Sequence, residues 1–127
     1  MEKQHPSPSS RGALAERLAE NYLLDQGLQL LARNVRYPRG EIDLLMLDGS
    51  TLVFVEVRSR SNRRFPSALA SVDSRKQRRL QAAAALIMQQ QPLPQYRAVR
   101  FDVVAFDFSR PATGAHWVKQ AFDAPQD

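Results

Sequence analysis

The chain has 127 residues, no cysteine and a formal net charge of +5 at pH 7, with an isoelectric point near 10.2. This length suits one domain with its own core, and the lack of cysteine excludes disulfides, thiol nucleophiles and thiolate metal sites. No apolar run approaches the ~20 residues that span a bilayer, and the N-terminus lacks the apolar stretch of a secretory signal. We therefore expect a cytoplasmic protein without membrane contact, whose basic charge favours polyanionic partners.

The spacing of apolar residues predicts a helix, three strands, a second helix, a further strand and a short last strand at the sheet edge. Gly27 is a natural residue to follow the first helix. Between a disordered lead-in at 1–10 and a tail at 123–127, we predict helices over 11–26 and 74–90 and strands over 28–35, 42–47, 52–57, 100–108 and 117–122. This order indicates a single α/β domain over 11–122, a mixed sheet with helices packed on it.

The second helix has clear signals of its start and its buried face. Asp73 or Ser74 is a suitable N-cap residue. Apolar residues at the i, i+3, i+4, i+7 spacing predict a buried stripe formed by Leu80, Ala83, Ala84 and Ile87.

The stretch GEIDLLMLDGSTLVFVEVRSR, residues 40–60, reads as a hairpin that carries charges in an apolar setting. Its charged residues are Glu41, Asp43, Glu56 and Arg58. Such charges are costly unless they are paired, exposed at an edge or bound to a metal. Because side chains alternate along a strand, Glu41 shares a face with Asp43, and Glu56 shares a face with Arg58.

The turn between the two strands decides which charges meet. A two-residue turn at Gly49-Ser50 would set Asp43 opposite Glu56, whereas a turn at Asp48-Gly49 would set Glu41 opposite Glu56. Both registers place all four charges on one face, and a three-residue loop with a bulge would break this alignment. Opposed Cβ atoms are roughly 5 Å apart, so two carboxylates there repel one another unless a divalent cation lies between them.

An alternative is a solvent-facing stripe in which Asp43 and Glu56 form ordinary salt bridges with Arg58 or Arg60. Against this alternative, large apolar residues lie on the same predicted face. They are Leu45, Leu47, Leu52 and Phe54.

Residues 58–79 form a basic segment. Its eight basic residues and one acidic residue give a local charge of +7, which exceeds that of the whole chain. Clusters of this kind contact phosphates, although a solvated face that aids solubility is the alternative. Phe65 is the segment's only aromatic residue, so a base-stacking platform is not indicated.

Asp43, then Glu56 with Arg58 two residues later, resembles the PD-(D/E)xK nuclease core. In that superfamily an aspartate and the (Asp/Glu)-x-Lys motif lie on adjacent strands, and here Arg58 stands at the lysine position. The resemblance implies a restriction-endonuclease-like three-layer α/β fold, a central mixed β-sheet flanked by helices, and phosphodiester hydrolysis with Mg²⁺ or Mn²⁺.

The surrounding sequence is similar to the YraN family of uncharacterised, endonuclease-like bacterial proteins, over about residues 11–122. The matching features are Arg11-Gly12, Glu16, Arg33-Asn34, GEIDLL, LVFVEVRSR, KQRRL from Lys76, RFDVV and Ala121-Phe122. The arrangement also resembles Holliday-junction resolvases, in which a first-helix glutamate matching Glu16 joins the metal site. Homodimerisation follows by analogy with those enzymes, because two strands must be cut.

The resemblance implies a role for each matching residue. Asp43 and Glu56 would hold the metal, Glu16 would contribute directly or through water, and Arg58 would stabilise charge on the phosphate. Glu41 and Gln77 would lie behind the metal ligands; the alternative for Glu41 is a salt bridge to Arg39 or Arg58. Asp102 is expected to end a strand rather than bind metal. The residues expected to bind the DNA backbone are Arg60, Arg63, Arg64, Lys76, Arg78 and Arg79.

The arginine at the lysine position keeps other functions open. A guanidinium stays charged near neutral pH, so Arg58 could not readily act as a base. The alternatives to a nuclease are a catalytically inactive nucleic-acid-binding module of nuclease fold and a subunit whose basic face meets an acidic protein partner.

Overall fold

A computed structural model describes residues 10–60, 71–110 and 114–123. The predicted lead-in up to residue 9, the predicted phosphate-binding residues Arg63 and Arg64, and the tail from residue 124 lie outside these ranges. The elements are α1 (Ser10–Asp25), β1 (Gln29–Tyr37), β2 (Gly40–Asp48), β3 (Thr51–Arg60), α2 (Ser74–Gln90), β4 (Ala98–Asp107) and β5 (Ala115–Phe122).

The five strands form one mixed sheet in the order β1-β2-β3-β4-β5. The β1–β2, β2–β3 and β4–β5 pairs are antiparallel, whereas β3 and β4 are parallel and α2 lies between them in sequence. A parallel pair needs a crossover connection, and α2 belongs to it. The predicted element order and α/β class are confirmed.

The two helices cover opposite faces of the sheet. Ala15, Ala19 and Leu23 of α1 pack with one set of strand residues that includes Leu44 and Val53. The predicted stripe of α2, Leu80, Ala83, Ala84 and Ile87, packs with the other set, which includes Phe54 and Phe101. The result is a three-layer arrangement, consistent with a nuclease-like fold. None of the helices in the described ranges is long and apolar enough to cross a membrane.

β1 and β3 extend past their predicted C-terminal ends, because pairing with neighbouring strands supports the added residues. β1 runs to Tyr37, which pairs with Gly40, so residues between the first two predicted strands belong to a tight hairpin. β3 runs to Arg60, which pairs with Asp107 on β4. The basic end of β3 is therefore held in the sheet rather than in a loop.

Asp102 does not end a strand, and that prediction is wrong. It lies inside β4 and is fully buried. Its carboxylate accepts hydrogen bonds from Arg100 Nε at 2.8 Å and Nη2 at 3.0 Å, from Trp117 Nε1 at 2.9 Å and from the Gln120 backbone N–H at 3.0 Å. These donors satisfy the carboxylate and attach β5 to β4.

Candidate functional site

The turn of the β2–β3 hairpin sets the register of the charged residues. Asp48 pairs with Thr51 across a two-residue turn, where Gly49 adopts a φ of 61°. The ladder continues in the same register to the pair Leu44 and Val55. The next position in this register brings Asp43 opposite Glu56, so the first of the two predicted registers is confirmed.

The two strands separate at this pair. Beyond Leu44 and Val55 the β2–β3 ladder ends, and the Val57 backbone N–H donates instead to Asp43 Oδ2 at 2.8 Å. β2 continues along β1 to Gly40, while β3 continues along β4 to its own end. We call the pair Asp43 and Glu56 the carboxylate fork. The side chain of Asp43 replaces a main-chain acceptor at the point where the sheet opens.

The prediction that all four hairpin charges share one face is wrong. Ile42 packs on the α2 side of the sheet and Leu44 on the α1 side, so the alternation of faces breaks at Asp43 between them. Asn34 occupies the facing position on β1 with a φ of 49°, a left-handed backbone conformation that distorts the strand pair. Glu41 pairs with the Arg36 guanidinium at 3.5 Å instead of facing the fork directly.

Burial and mutual repulsion dominate the electrostatics of the fork. The exposed fraction is 9% for Asp43 and 3% for Glu56. Burial, and next the charge of Glu56, raise the pKa of Asp43 to about 8, against the lowering effect of the Val57 N–H. Burial and the neighbouring acid thus favour the protonated form of Asp43 when no cation is bound.

Two cations from different elements reach Glu56. Arg58 Nη1 lies 3.2 Å and Lys76 Nζ 3.3 Å from Glu56 Oε2. Lys76 stands in the first turn of α2, and the sequence predicted it only as a contact to the DNA backbone. A signal was present, because a basic residue in the first turn of a helix opposes the helix dipole and so needs a partner elsewhere.

Glu16 of α1 lies close enough to interact with the fork electrostatically. Burial raises its pKa, a hydrogen bond with Asn34 lowers it, and the charges of Glu41 and Glu56 raise it further. Across residues 10–60, 71–110 and 114–123, no three His, Asp or Glu side chains are arranged to hold a metal ion. The role of Glu16 as a direct ligand therefore stays a prediction.

The two carboxylates of the fork nonetheless fit a hard divalent cation. Mg²⁺ prefers oxygen ligands and is commonly held by one or two carboxylates, with water and phosphate completing its coordination. Burial and the charge of Glu56 raise the pKa of Asp43, while Arg58 and Lys76 contact Glu56 rather than Asp43. The donors are of the kind that Mg²⁺ or Mn²⁺ binds, and a metal ion at the fork stays a prediction.

Other predicted site residues have structural partners. Arg60 Nη2 binds Asp107 Oδ2 at 2.8 Å, and both side chains are 18% exposed. Gln77 Nε2 donates to the Val72 carbonyl at 3.1 Å, which secures the start of α2 rather than contacting the fork. Arg60 is thus less available to DNA than the sequence suggested, and Gln77 does not contact the fork.

Exposed arginines lie on two elements that meet at Gly40. Arg78 and Arg79 are exposed on α2. Gly40 packs so tightly against α2 that a Cβ there would collide with the backbone carbonyl of Arg79. This contact brings the β1–β2 turn, with exposed Arg36 and Arg39, next to the basic helix. We call the exposed Arg36, Arg39, Arg78 and Arg79 the basic surface. The sequence analysis predicted only Arg78 and Arg79 as contacts to the DNA backbone.

Comparison with known proteins gives one consistent family. The sequence profile of the uncharacterised protein family UPF0102 matches residues 15–106. A UPF0102 protein of Pseudomonas putida (strain GB-1) is 51% identical over 118 residues, covering 92% of this chain and 96% of the relative. One of Alkalilimnicola ehrlichii is 46% identical over 129 residues, covering 98% and 99%. The chain therefore belongs to the UPF0102 family.

Proposed function

We propose that this protein is a metal-dependent nuclease that hydrolyses phosphodiester bonds in DNA. The observation that carries the proposal is the carboxylate fork, two buried acids facing one another where β2 and β3 separate. Burying two adjacent carboxylates weakens a fold. Such a pair is characteristic of sites that bind a cation or transfer protons.

The residues of the fork have complementary roles in this proposal. Asp43 and Glu56 would hold Mg²⁺ or Mn²⁺, whose chemistry when bound is to lower the pKa of a water and to polarise a phosphate. In the hydrolysis, a water oxygen bonds to phosphorus and the bond to the leaving ester oxygen breaks. The leaving oxygen takes up a proton, and the water's remaining proton stays on the new monoester or passes to solvent.

The basic surface supplies the substrate preference. Arg36 and Arg39 on the β1–β2 turn and Arg78 and Arg79 on α2 lie on the two elements that meet at Gly40. Phosphates bind such clusters without regard to base sequence. A nucleic acid backbone held there would pass beside the fork.

A second candidate is a nucleic-acid-binding module without catalysis. It is favoured by Arg58, which stands at the lysine position of the nuclease core and donates from Nε to Ser71 Oγ at 2.8 Å as well as to Glu56. This candidate requires DNA binding that persists in EDTA. It also requires a steep salt dependence, with a log–log slope of about 0.9 for each phosphate contact.

The test is a cleavage assay on labelled single-stranded, duplex, flap and four-way-junction DNA, with Mn²⁺ or EDTA. Asp43→Asn and Glu56→Gln remove the charges of the fork, and Asp25→Asn makes the same chemical change at the exposed end of α1. We expect cleavage in Mn²⁺ by wild type and Asp25→Asn, and a loss of at least about 100-fold in both fork variants.

Each outcome decides between the candidates. Cleavage that survives equally in the fork variants would come from another site or from a contaminant and would overturn the proposal. Binding without cleavage on every substrate would favour the binding module. Absence of DNA binding at low and at high salt concentration would overturn both candidates.

A further inference from the structure

Lys76 reaches the carboxylate fork from the helix layer rather than from the strand that carries the nuclease-like motif. Its Nζ lies 3.3 Å from Glu56 Oε2. The Lys76 side chain is 36% exposed, whereas that of Glu56 is only 4% exposed. The ammonium thus lies at the boundary between a buried carboxylate and solvent, where a substrate phosphate would arrive.

Arg58 is engaged in holding the site together. Its Nε donates to Ser71 Oγ at 2.8 Å, and its Nη1 donates to Glu56 at 3.2 Å. These two bonds tie the end of β3 to the residues that lead into α2. A planar guanidinium bonded on two sides has a fixed orientation, which suits the positioning of Glu56.

The stability of α2 does not account for Lys76. The first turn of α2 contains no acidic residue, and a cation there is opposed by the helix dipole. At the same time the backbone of Lys76 is firmly placed, because its N–H donates to the N-cap Asp73 at 2.9 Å. Gln77 adds a second bond, from Nε2 to the Val72 carbonyl. The helix start is thus built to present this ammonium at a defined place.

A lysine in this place has donors for more than one acceptor. An ammonium carries three N–H donors, and only one of them points along any single contact with Glu56. A compact ammonium can therefore bind Glu56 and a phosphate oxygen together. It would supply positive charge where negative charge develops in the transition state.

We propose that Lys76 is a catalytic residue, the cation that contacts the scissile phosphate, and that Arg58 is a positioning residue for Glu56. Lys76 on the helix thereby takes the function of the lysine that the nuclease motif has on the strand, where this chain has Arg58. This inference rests on the proposed nuclease function and deepens it, because it assigns the group that stabilises the phosphate charge.

Single-turnover cleavage with protein in excess over DNA tests the assignment. Lys76→Met should lower the rate by about 100- to 1,000-fold, the range found when one preorganised donor to a transition-state charge is removed. Arg58→Lys should lower it by about tenfold or less. Lys119→Met, which removes the same charge from β5 where Lys119 lies over the Trp117 ring, should leave the rate unchanged.

Two binding measurements separate this role from a structural one. The affinity of Lys76→Met for duplex DNA in EDTA should fall by less than tenfold, because one phosphate contact among several is lost. The rise in melting temperature that Mn²⁺ causes should be at least as large in Lys76→Met as in wild type, because the variant keeps both carboxylates and loses a competing cation. A merely structural lysine would show the opposite, a weaker Mn²⁺ effect together with a lower melting temperature.

The outcomes distinguish this inference from the proposed function. Absence of cleavage by wild type overturns the proposed function and the inference with it. Cleavage by wild type and by Lys76→Met at similar rates overturns the inference alone. A rate loss in Lys76→Met that DNA affinity fully explains, and that vanishes at saturating protein, makes Lys76 a backbone contact and also overturns it.

Discussion

Two regions of the sheet bury aspartates, and their surroundings differ in one decisive respect. Asp102 on β4 is fully buried and receives four hydrogen bonds, two of them from the Arg100 guanidinium. Asp43 on β2 is nearly as buried but receives the Val57 N–H and faces the acid Glu56. The first carboxylate is supplied with donors, and the second is set against a like charge.

This difference distinguishes an acid that supports the fold from one that we propose binds a cation. A buried carboxylate with a bidentate arginine and further donors is a stable part of a fold. A buried carboxylate beside another acid has its pKa raised, and it costs stability whenever it ionises. Such pairs are found mainly at sites that bind a cation or transfer a proton. The following substitutions change one of these two carboxylates or the packing beside it.

The largest expected effect is on the Asp102 side. Asp102→Ala leaves the Arg100 guanidinium, only 15% exposed, without its main partner. We expect a loss of about 3–5 kcal/mol in the free energy of unfolding, because the buried guanidinium keeps only the more exposed Asp48, and Trp117 Nε1 and the Gln120 N–H lose their acceptor. Urea denaturation measures it. The matched control is Asp48→Ala, which removes the more exposed acid bound to the same arginine and should cost less than about 1 kcal/mol. Equal losses in the two variants would contradict the structural role.

An intermediate effect is expected where α2 meets the fork. Gly40→Ala places a methyl group against the Arg79 carbonyl, so α2 must shift, at a cost of about 1–3 kcal/mol. Gly12→Ala is the control, because a Cβ there meets no atom within 4 Å and Ala favours the helix by up to about 1 kcal/mol. Thermal unfolding compares the two. A neutral Gly40→Ala variant would show that the close approach is not required.

The remaining expected effect depends on pH. The pKa of Asp43 is raised to about 8, above the ~3.9 of an unfolded aspartate. The protonated carboxyl therefore stabilises the fold below pH 4, and that stability is lost as the pH rises through 8. In EDTA, Asp43→Asn should gain stability over wild type as the pH rises from 4 to 8, by several kcal/mol at about 1.4 kcal/mol per pKa unit. Urea denaturation at several pH values measures the difference, and a constant difference would refute the raised pKa.

Local signals in the sequence predicted the fold and the hairpin register. The apolar stripe and Asp73 cap of α2, and the two-residue turn at Gly49-Ser50, each depend on residues close together in sequence. Such signals determined the opposition of Asp43 and Glu56. The order of helices and strands was predicted correctly because the apolar residues of each segment recur with the period of one type of element only.

The remaining features depend on contacts between distant segments. The charges of the hairpin do not share one face because Asn34, on a neighbouring strand, distorts the pair. Lys76 meets Glu56 only because α2 packs on the face to which Glu56 points. The donors to Asp102 come from Trp117 and Gln120 of β5, whose pairing with β4 no local pattern reveals.

The most direct test of the carboxylate fork as a cation site is calorimetric titration of the protein with Mn²⁺ at pH 7, in two buffers of different ionisation enthalpy. Because the pKa of Asp43 is about 8, binding at the fork should release about one proton for each Mn²⁺ bound. Asp43→Asn should lose both the binding and the proton release. Binding without proton release, or equal binding by Asp43→Asn, would contradict the account.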